Sequence, residues 1–154
     1  TEALSPVMNC SNIPVEVHET HNPIRVRRLE FIPDTGGAGR WRGGCGLRKD
    51  IELLNSTAVL SHLGDRHTFQ PYGLFGGGRA APSRNILDPN GAAEALPSKV
   101  TRTLRGGEVI RHEQAGGGGY GDPEERDKSM IAEDLREGYI TPDGARRDYG
   151  VKPD

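Results

Sequence analysis

Large apolar side chains are scarce in this sequence. Leu, Ile, Val and Phe together make 31 of 154 residues, near the level below which a chain struggles to bury enough apolar surface to offset the entropy of ordering. Net charge is also nearly absent, at −2, which argues against disorder and gives no reason to expect nucleic acid or an anionic membrane as a partner. The expectation is a folded chain with a thin core that belongs to something larger. No apolar run approaches the roughly 18 residues that span a bilayer, and residues 1 to 20 lack a basic start followed by an apolar stretch, so no membrane partner and a cytoplasmic location are expected. Cysteine is limited to Cys10 and Cys45, with no C-x-x-C pairing, which excludes a zinc knuckle or a redox pair by spacing and leaves two free thiols. Thr1 is the kind of small residue left when an initiator methionine is removed, so a natural start is expected.

Glycine and proline are plentiful instead, at 22 and 11 residues, and they demand frequent turns. After an irregular lead-in over residues 1 to 13, Val15-Glu16-Val17-His18-Glu19-Thr20 alternates as a half-buried strand does. A second strand starts at Ile24. Ile24 and Val26 share one face while Leu29 and Phe31 fall on the other, so Arg27-Arg28 is expected to mark a bulge. Strands are also predicted from Leu47 to Leu54 and from Ala58 to Leu63, joined at Asn55-Ser56 in a simple meander. Shorter ones follow at Asn85 to Leu87, Lys99 to Leu104 and Val109 to Glu113. Gly64 to Pro82 is a long loop, a length that is usually functional or binds a partner. Helical signals come only at the end: Met130 to Leu135 with Gly138 as the stop, then Thr141 as N-cap, Pro142 at N1 and Gly150 closing a helix to Tyr149. The reading is mainly β, a glycine-rich β-sandwich or barrel-like body over 14–122 with a short helical tail over 123–154, in a single domain.

The densest glycine stretch, Gly116-Gly117-Gly118-Gly119-Tyr120-Gly121, formally satisfies G-x-G-x-x-G. A dinucleotide fold would need a helix and then a second parallel strand with an acid near its end, and a Walker loop would need Gly-Lys-Ser or Gly-Lys-Thr. Neither follows. The run is read as a tight turn where backbone passes close to another surface, that of a partner, with a peptide-amide nest for an anion as the alternative.

Other polar groupings are weaker. His18 and His21 would lie on opposite faces of a strand, so no metal is assigned to them. His62 with Asp65, Arg66 and His67 opens the long loop, either as an Asp65-Arg66 ion pair that organises it or with His67 as a general base. A metal-dependent hydrolase site from His62, Asp65 and His67 is the least supported option. Arg40-Trp41-Arg42 reads as a packing clip between strands or as an anion contact. A free-standing module that binds an anion or nucleotide through Arg40, Arg42 and the Gly116 to Gly121 loop is the alternative function.

Four ordered stretches carry a family resemblance: NIPVEVHETHNPIRVRRLEFIPDTGGAGRWRGGCGLRKD, LSHLGDRHTFQPYGLFGGG, LPSKVTRTLRGGEVIRHEQAGGGGYGDPEERD and DLREGYITPDGARRDYGV. Together, over about residues 12 to 151, they resemble the carboxyl-terminal part of the hydantoinase B family. That family takes in the B-type components of N-methylhydantoinases, the corresponding half of ATP-dependent 5-oxoprolinase, and subunits of acetone and acetophenone carboxylases. The resemblance implies a place in a multi-subunit ATP-dependent enzyme that opens cyclic amides or carboxylates ketones, with larger A-type and B-type subunits as partners. It implies that the A-type partner holds ATP and activates a carbonyl or bicarbonate oxygen as a phosphate ester, the B-type partner serving the second half-reaction. ATP and a divalent metal are then expected in partner subunits and no cofactor in this chain. The family's long amino-terminal portion has no counterpart here, and none of its catalytic or metal residues maps onto a position of this sequence.

Overall fold

A computed structural model describes residues 13–151. Residues 1 to 12 of the lead-in, with the start at Thr1 and the thiol of Cys10, lie outside the described residues. Within them the strands are β1 (Ile24–Ile32), β2 (Gly46–Leu53), β3 (Thr57–Leu63), β4 (Arg84–Leu87), β5 (Glu94–Leu96), β6 (Lys99–Arg105) and β7 (Val109–Glu113). The helices are α1 (Val15–His21), α2 (Lys128–Arg136) and α3 (Pro142–Tyr149). The molecule is mainly β with a helical end, as expected. The short strand β5 has no counterpart in the sequence reading.

The expected meander is not the topology. β2 pairs antiparallel with β7, and β3 pairs antiparallel with β6, so residues 46–63 run along residues 99–113 as one long ribbon. The ribbon breaks at Leu54 to Ser56 and at Gly106 to Glu108, where Gly107 N–H donates to the Leu53 carbonyl and Gly106 N–H to that of Ser56. One half joins a five-stranded sheet in the order β1-β2-β7-β4-β5, and the other half, β3-β6, stands as a two-stranded sheet. Leu53, Leu87, Leu96 and Leu104 are buried where the two sheets meet. The core is thin, as the composition demands: among the described residues no large side chain falls below 2 % exposure.

The bulge expected on β1 is present. Val26 faces Ile51 and Arg28 faces Asp50, leaving Arg27 as the extra residue. This returns Leu29 and Phe31, opposite Lys49 and Leu47, to the face already occupied by Ile24 and Val26. The sheet thereby keeps one apolar face. On its other face Asp50, 4 % exposed, accepts paired hydrogen bonds from Arg48 and Arg111, and Glu52 pairs with Arg27. Burial pushes the Asp50 carboxyl up, but the two guanidinium groups outweigh it and hold it below its ordinary range.

The strand expected at Val15 to Thr20 is helix α1 instead. It follows Pro14, which suits a helix start, and its two histidines lie in the last turn. In this conformation Glu19 reaches the Val26 N–H at 2.7 Å, next to the bulge, so the helix satisfies a donor that a further strand would otherwise have paired. His18 and His21, three apart, consequently lie on neighbouring positions of one helical face rather than on opposite sides of a strand.

Beyond the sheet end, residues 35–45, 71–81 and 114–121 form a layer without regular strands, held by lateral backbone bonds. Gly37 N–H donates to Gly117, Gly117 to Gly44, Gly119 to Gly78, Gly78 to Ala38, and Leu74 to Gly119. Spacing between these chains is too small for side chains. A methyl group on Gly43 would overlap the Gly117 carbonyl, one on Gly77 the Gly119 carbonyl, and one on Gly119 the Ala38 carbonyl.

The tail has a small apolar cluster of its own, Ile131, Ile140 and Ala145 with Leu135 and Tyr149 alongside. The caps of α3 follow the sequence reading, while the N-cap of α2 has no counterpart in it. Asp127 caps α2 through Ser129 N–H, Thr141 caps α3 through Gly144 N–H, and Gly150 adopts φ 65° at its end. Asp34 ties tail to body, accepting from Thr141 N–H at 2.8 Å and from its hydroxyl at 2.6 Å. No helix among the described residues is long and apolar enough to cross a membrane.

Candidate functional site

Between the apolar face of the five-stranded sheet and the β3-β6 pair lies a cleft of about 820 Å³. Ile51 and Leu53 of β2, Ile110 of β7, Leu60 of β3 and Leu104 of β6 line its apolar length. Polar side chains also line it: Lys49, His62, Asn85, His112 and Gln114. Strand alternation puts them there, since Lys49 continues the Leu47–Ile51–Leu53 face and His112 and Gln114 continue that of Ile110. Lys49, His112 and Asn85 are neighbours across three paired strands.

A directed hydrogen-bond chain orders this end. His67 Nδ1 lies 3.1 Å from the Asp65 carbonyl, Asn85 Nδ2 lies 2.9 Å from His67 Nε2, and Asn85 Oδ1 lies 2.5 Å from His112 Nδ1. The carbonyl can only accept, so His67 Nδ1 carries a proton; the Asn85 amide then donates to His67 Nε2 and accepts from His112 Nδ1–H. Reversing the amide would require a doubly protonated His67. His112 is thus fixed with its proton on Nδ1 and Nε2 as a free acceptor. Burial first, then the charges of His62, His67 and Lys49, push its pKa down to about 4. His62, whose ring centre is 5.2 Å from that of His112, is also lowered by burial and by His67. Both favour the neutral form at neutral pH. His62 Nε2 and Gln114 Oε1 are buried and find no partner within the protein.

The expected loop-opening group is therefore rearranged. His62 and His67 do come together, but with Asn85 and His112, which sequence reasoning missed. Asp65 contributes its carbonyl, and no ion pair joins it to Arg66 among the described residues. Arg66 instead adopts φ 64° and accepts Ser83 N–H through its carbonyl, so the loop is fixed by backbone bonding. Both His67 ring nitrogens are engaged, which removes it as a general base in this conformation. Among the described residues no group of three or more His, Cys, Asp or Glu side chains is placed to hold a metal ion. The polar breaks in otherwise apolar faces, Lys49 between Leu47 and Ile51 and His112 after Ile110, were the available signal.

Arg40, Trp41 and Arg42 separate. Arg42 binds Asp134 with both Nε and Nη2, at 2.9 and 3.0 Å, and Arg126 binds the same carboxylate at 2.6 Å. This clip joins glycine layer to tail rather than strand to strand, and it leaves Arg42 no carboxylate-free fork for an anion. Arg40 meets Glu125 at the surface, while Trp41 stays 54 % exposed beside Tyr120, to which its backbone is bonded. Gly116, Gly117, Gly118 and Gly119 lie in the glycine layer, close against Thr35, Gly44, Tyr72 and Ala38. The surface that the run approaches is this chain's own backbone. The N–H groups of Gly117, Gly119, Tyr120 and Gly121 already donate to carbonyls, so they are not open to an anion. Cys45 is buried with its thiol pushed up, Arg42 opposing, which keeps it protonated and unreactive.

Comparison with known proteins agrees with this architecture. The chain is 38% identical to an uncharacterised protein of Methanocaldococcus jannaschii over 92% of its own length and 25% of that protein. It is 34% identical to the B component of a putative D-/L-hydantoinase from a Pseudomonas species, over 93% of itself and 24% of the relative. The crystal structure of ATP-dependent caprolactamase from Pseudomonas jessenii superposes with a TM-score of 0.78 at 29% identity, covering 92% of this chain and 25% of that one. The chain spans about a quarter of the length of these curated relatives and a tenth or less of the 5-oxoprolinases it matches. Residues 3–123 match the Hydantoinase B/oxoprolinase family, and the chain belongs to that family.

Proposed function

We propose that this chain is a small subunit or carboxyl-terminal module of a multi-subunit ATP-dependent enzyme of the hydantoinase, oxoprolinase and ketone carboxylase group. It completes a B-type subunit and does not catalyse alone. One observation supports this above the others: nine-tenths of the chain aligns with relatives of which it covers only a quarter. ATP and a divalent metal would be held by the larger A-type and B-type partners, and the enzyme would work in the cytoplasm, where ATP is supplied.

Co-expression of the chain with A-type and B-type polypeptides of its source organism tests this reading. The expected result is a stable complex whose ATP-dependent turnover of a cyclic amide, or ATP-dependent ketone carboxylation, disappears when this chain is omitted. Undiminished turnover without it would refute the assignment.

A further inference from the structure

We infer that the cleft between the two sheets is the seat of an apolar segment of the larger B-type polypeptide, one that sets a hydrogen-bond donor against His112 and Gln114. This rests on the proposed function and names the contact through which it operates. Leu29 and Val59, both lining the cleft, remain 47 % and 68 % exposed. A cleft of about 820 Å³ is at the large end of the range for small-ligand pockets, and its long apolar walls suit a stretch of chain better than a small polar molecule.

The occupant is indicated by two further features. Three-quarters of each relative lies outside the matched region, and the resemblance to the carboxyl-terminal part of the family puts that polypeptide upstream. Ile13 and Val15, the upstream edge of the described residues, line the cleft themselves, so the described chain enters the fold along its wall. The lining contains Lys49 and histidines but no carboxylate, which disfavours a cationic occupant. His112 Nε2 is an acceptor once Nδ1 carries the proton, and Gln114 Oε1 is a buried acceptor without a donor, which is costly. The segment is therefore apolar, with an N–H or O–H donor at this end.

Leu29→Glu and Val59→Glu test the inference, because both positions are exposed and the substitutions leave the isolated fold intact, checked by circular dichroism. Leu63→Glu, 80 % exposed and off the cleft, is the control. Affinity for the co-purified B-type polypeptide is expected to fall at least about a hundredfold for each cleft variant, the consequence of burying an unpaired charge, and less than about threefold for the control. Wild-type assembly that is equally tolerant of all three variants would overturn the cleft contact while leaving the proposed function standing. Failure of the wild-type chain to assemble at all would overturn both. Sedimentation of the isolated chain gives the last outcome: a homodimer that Val59→Glu dissociates and the B-type polypeptide does not displace would make a second copy the occupant, against the inference.

Discussion

The glycine layer and the cleft half of this molecule solve the same shortage of apolar residues in opposite ways. In the layer, backbone packs directly on backbone, and lateral N–H to carbonyl bonds such as Gly37 to Gly117 and Gly119 to Gly78 replace side-chain contacts. In the cleft half, side chains do the packing, and four buried leucines leave a large apolar surface uncovered beside them. A layer of the first kind is complete in itself and intolerant of added atoms. One of the second kind tolerates change at its rim and calls for a partner. The partner contact that the sequence assigns to the glycine run thus belongs better to the cleft.

The sharpest break of this comparison is one methyl group in the layer. Gly43→Ala places a Cβ on the Gly117 carbonyl, with backbone on both sides and no flexible side chain to yield. A loss of about 4 kcal/mol or more is expected, which exceeds ordinary overpacking because the backbone itself must separate. Denaturant unfolding of Gly43→Ala beside Val59→Ala measures it; a loss under about 1 kcal/mol at Gly43 would show that the layer can expand.

Next in size is the ionic clip that fastens the tail to the layer. Asp134→Ala leaves two guanidinium groups, Arg42 and Arg126, without their shared carboxylate, both largely withdrawn from water. The expected cost is about 3 kcal/mol or more, and greater than for Arg42→Ala, which leaves Arg126 and Asp134 paired. Hydrogen exchange should show α2 and α3 losing protection while the five-stranded sheet keeps its own. Uniform loss throughout the chain would mean that tail and body unfold as one unit.

How far these features can be read from sequence follows from how local their causes are. The caps of α3 are legible because Thr141, Pro142 and Gly150 act within one turn of themselves, and the bulge at Arg27 because it restores a broken apolar alternation. The Val15 to Thr20 pattern fits a strand equally well, and it becomes a helix through Glu19 reaching Val26, a contact set by the tertiary fold. The meander fails for a related reason. Alternation identifies strands but not partners, and the bent ribbon depends on pairing across about forty residues or more, with Leu60 opposite Arg102. His62 and His67 stand out as polar residues at a loop entrance, while Asn85 and His112 lie inside short predicted strands with nothing local to mark them. Their shared hydrogen-bond chain exists only once β4 and β7 are paired.

That chain offers a smaller test, on the cleft side of the comparison. A group buried neutral binds fewer protons folded than unfolded, so His112, with its pKa lowered to about 4 from the ordinary 6.5, destabilises the fold as pH falls through that window. Its contribution to stability is fully present above pH 6.5 and is progressively lost toward pH 4. His62 acts in the same sense. Asp50, held low by Arg48 and Arg111, adds its own loss only at still lower pH, below the ordinary carboxyl range. Asn85→Asp puts a carboxylate between His67 and His112 and should raise the His112 pKa, read by proton NMR of the imidazole resonances, flattening the stability slope between pH 6.5 and 4. An unchanged His112 titration would mean that residue 85 does not face the ring in solution.

The smallest effect separates two uses of glycine. Gly138, just past α2, has φ 74° and no atom within 4 Å of where a Cβ would stand, so it serves backbone conformation alone and not space. Gly138→Ala should therefore cost only about 1 kcal/mol, the strain of a left-handed alanine. Gly138→Asn should recover part of that loss, since asparagine tolerates the left-handed region at helix ends. At Gly43 the same asparagine should do no better than alanine, because the obstacle there is the Gly117 carbonyl and not the torsion angle. Thermal unfolding of the four variants gives the decisive pattern: asparagine rescue at 138 and none at 43. Rescue at both positions would mean that the layer uses its glycines for backbone freedom, and the distinction between the two halves of the molecule would have to be redrawn.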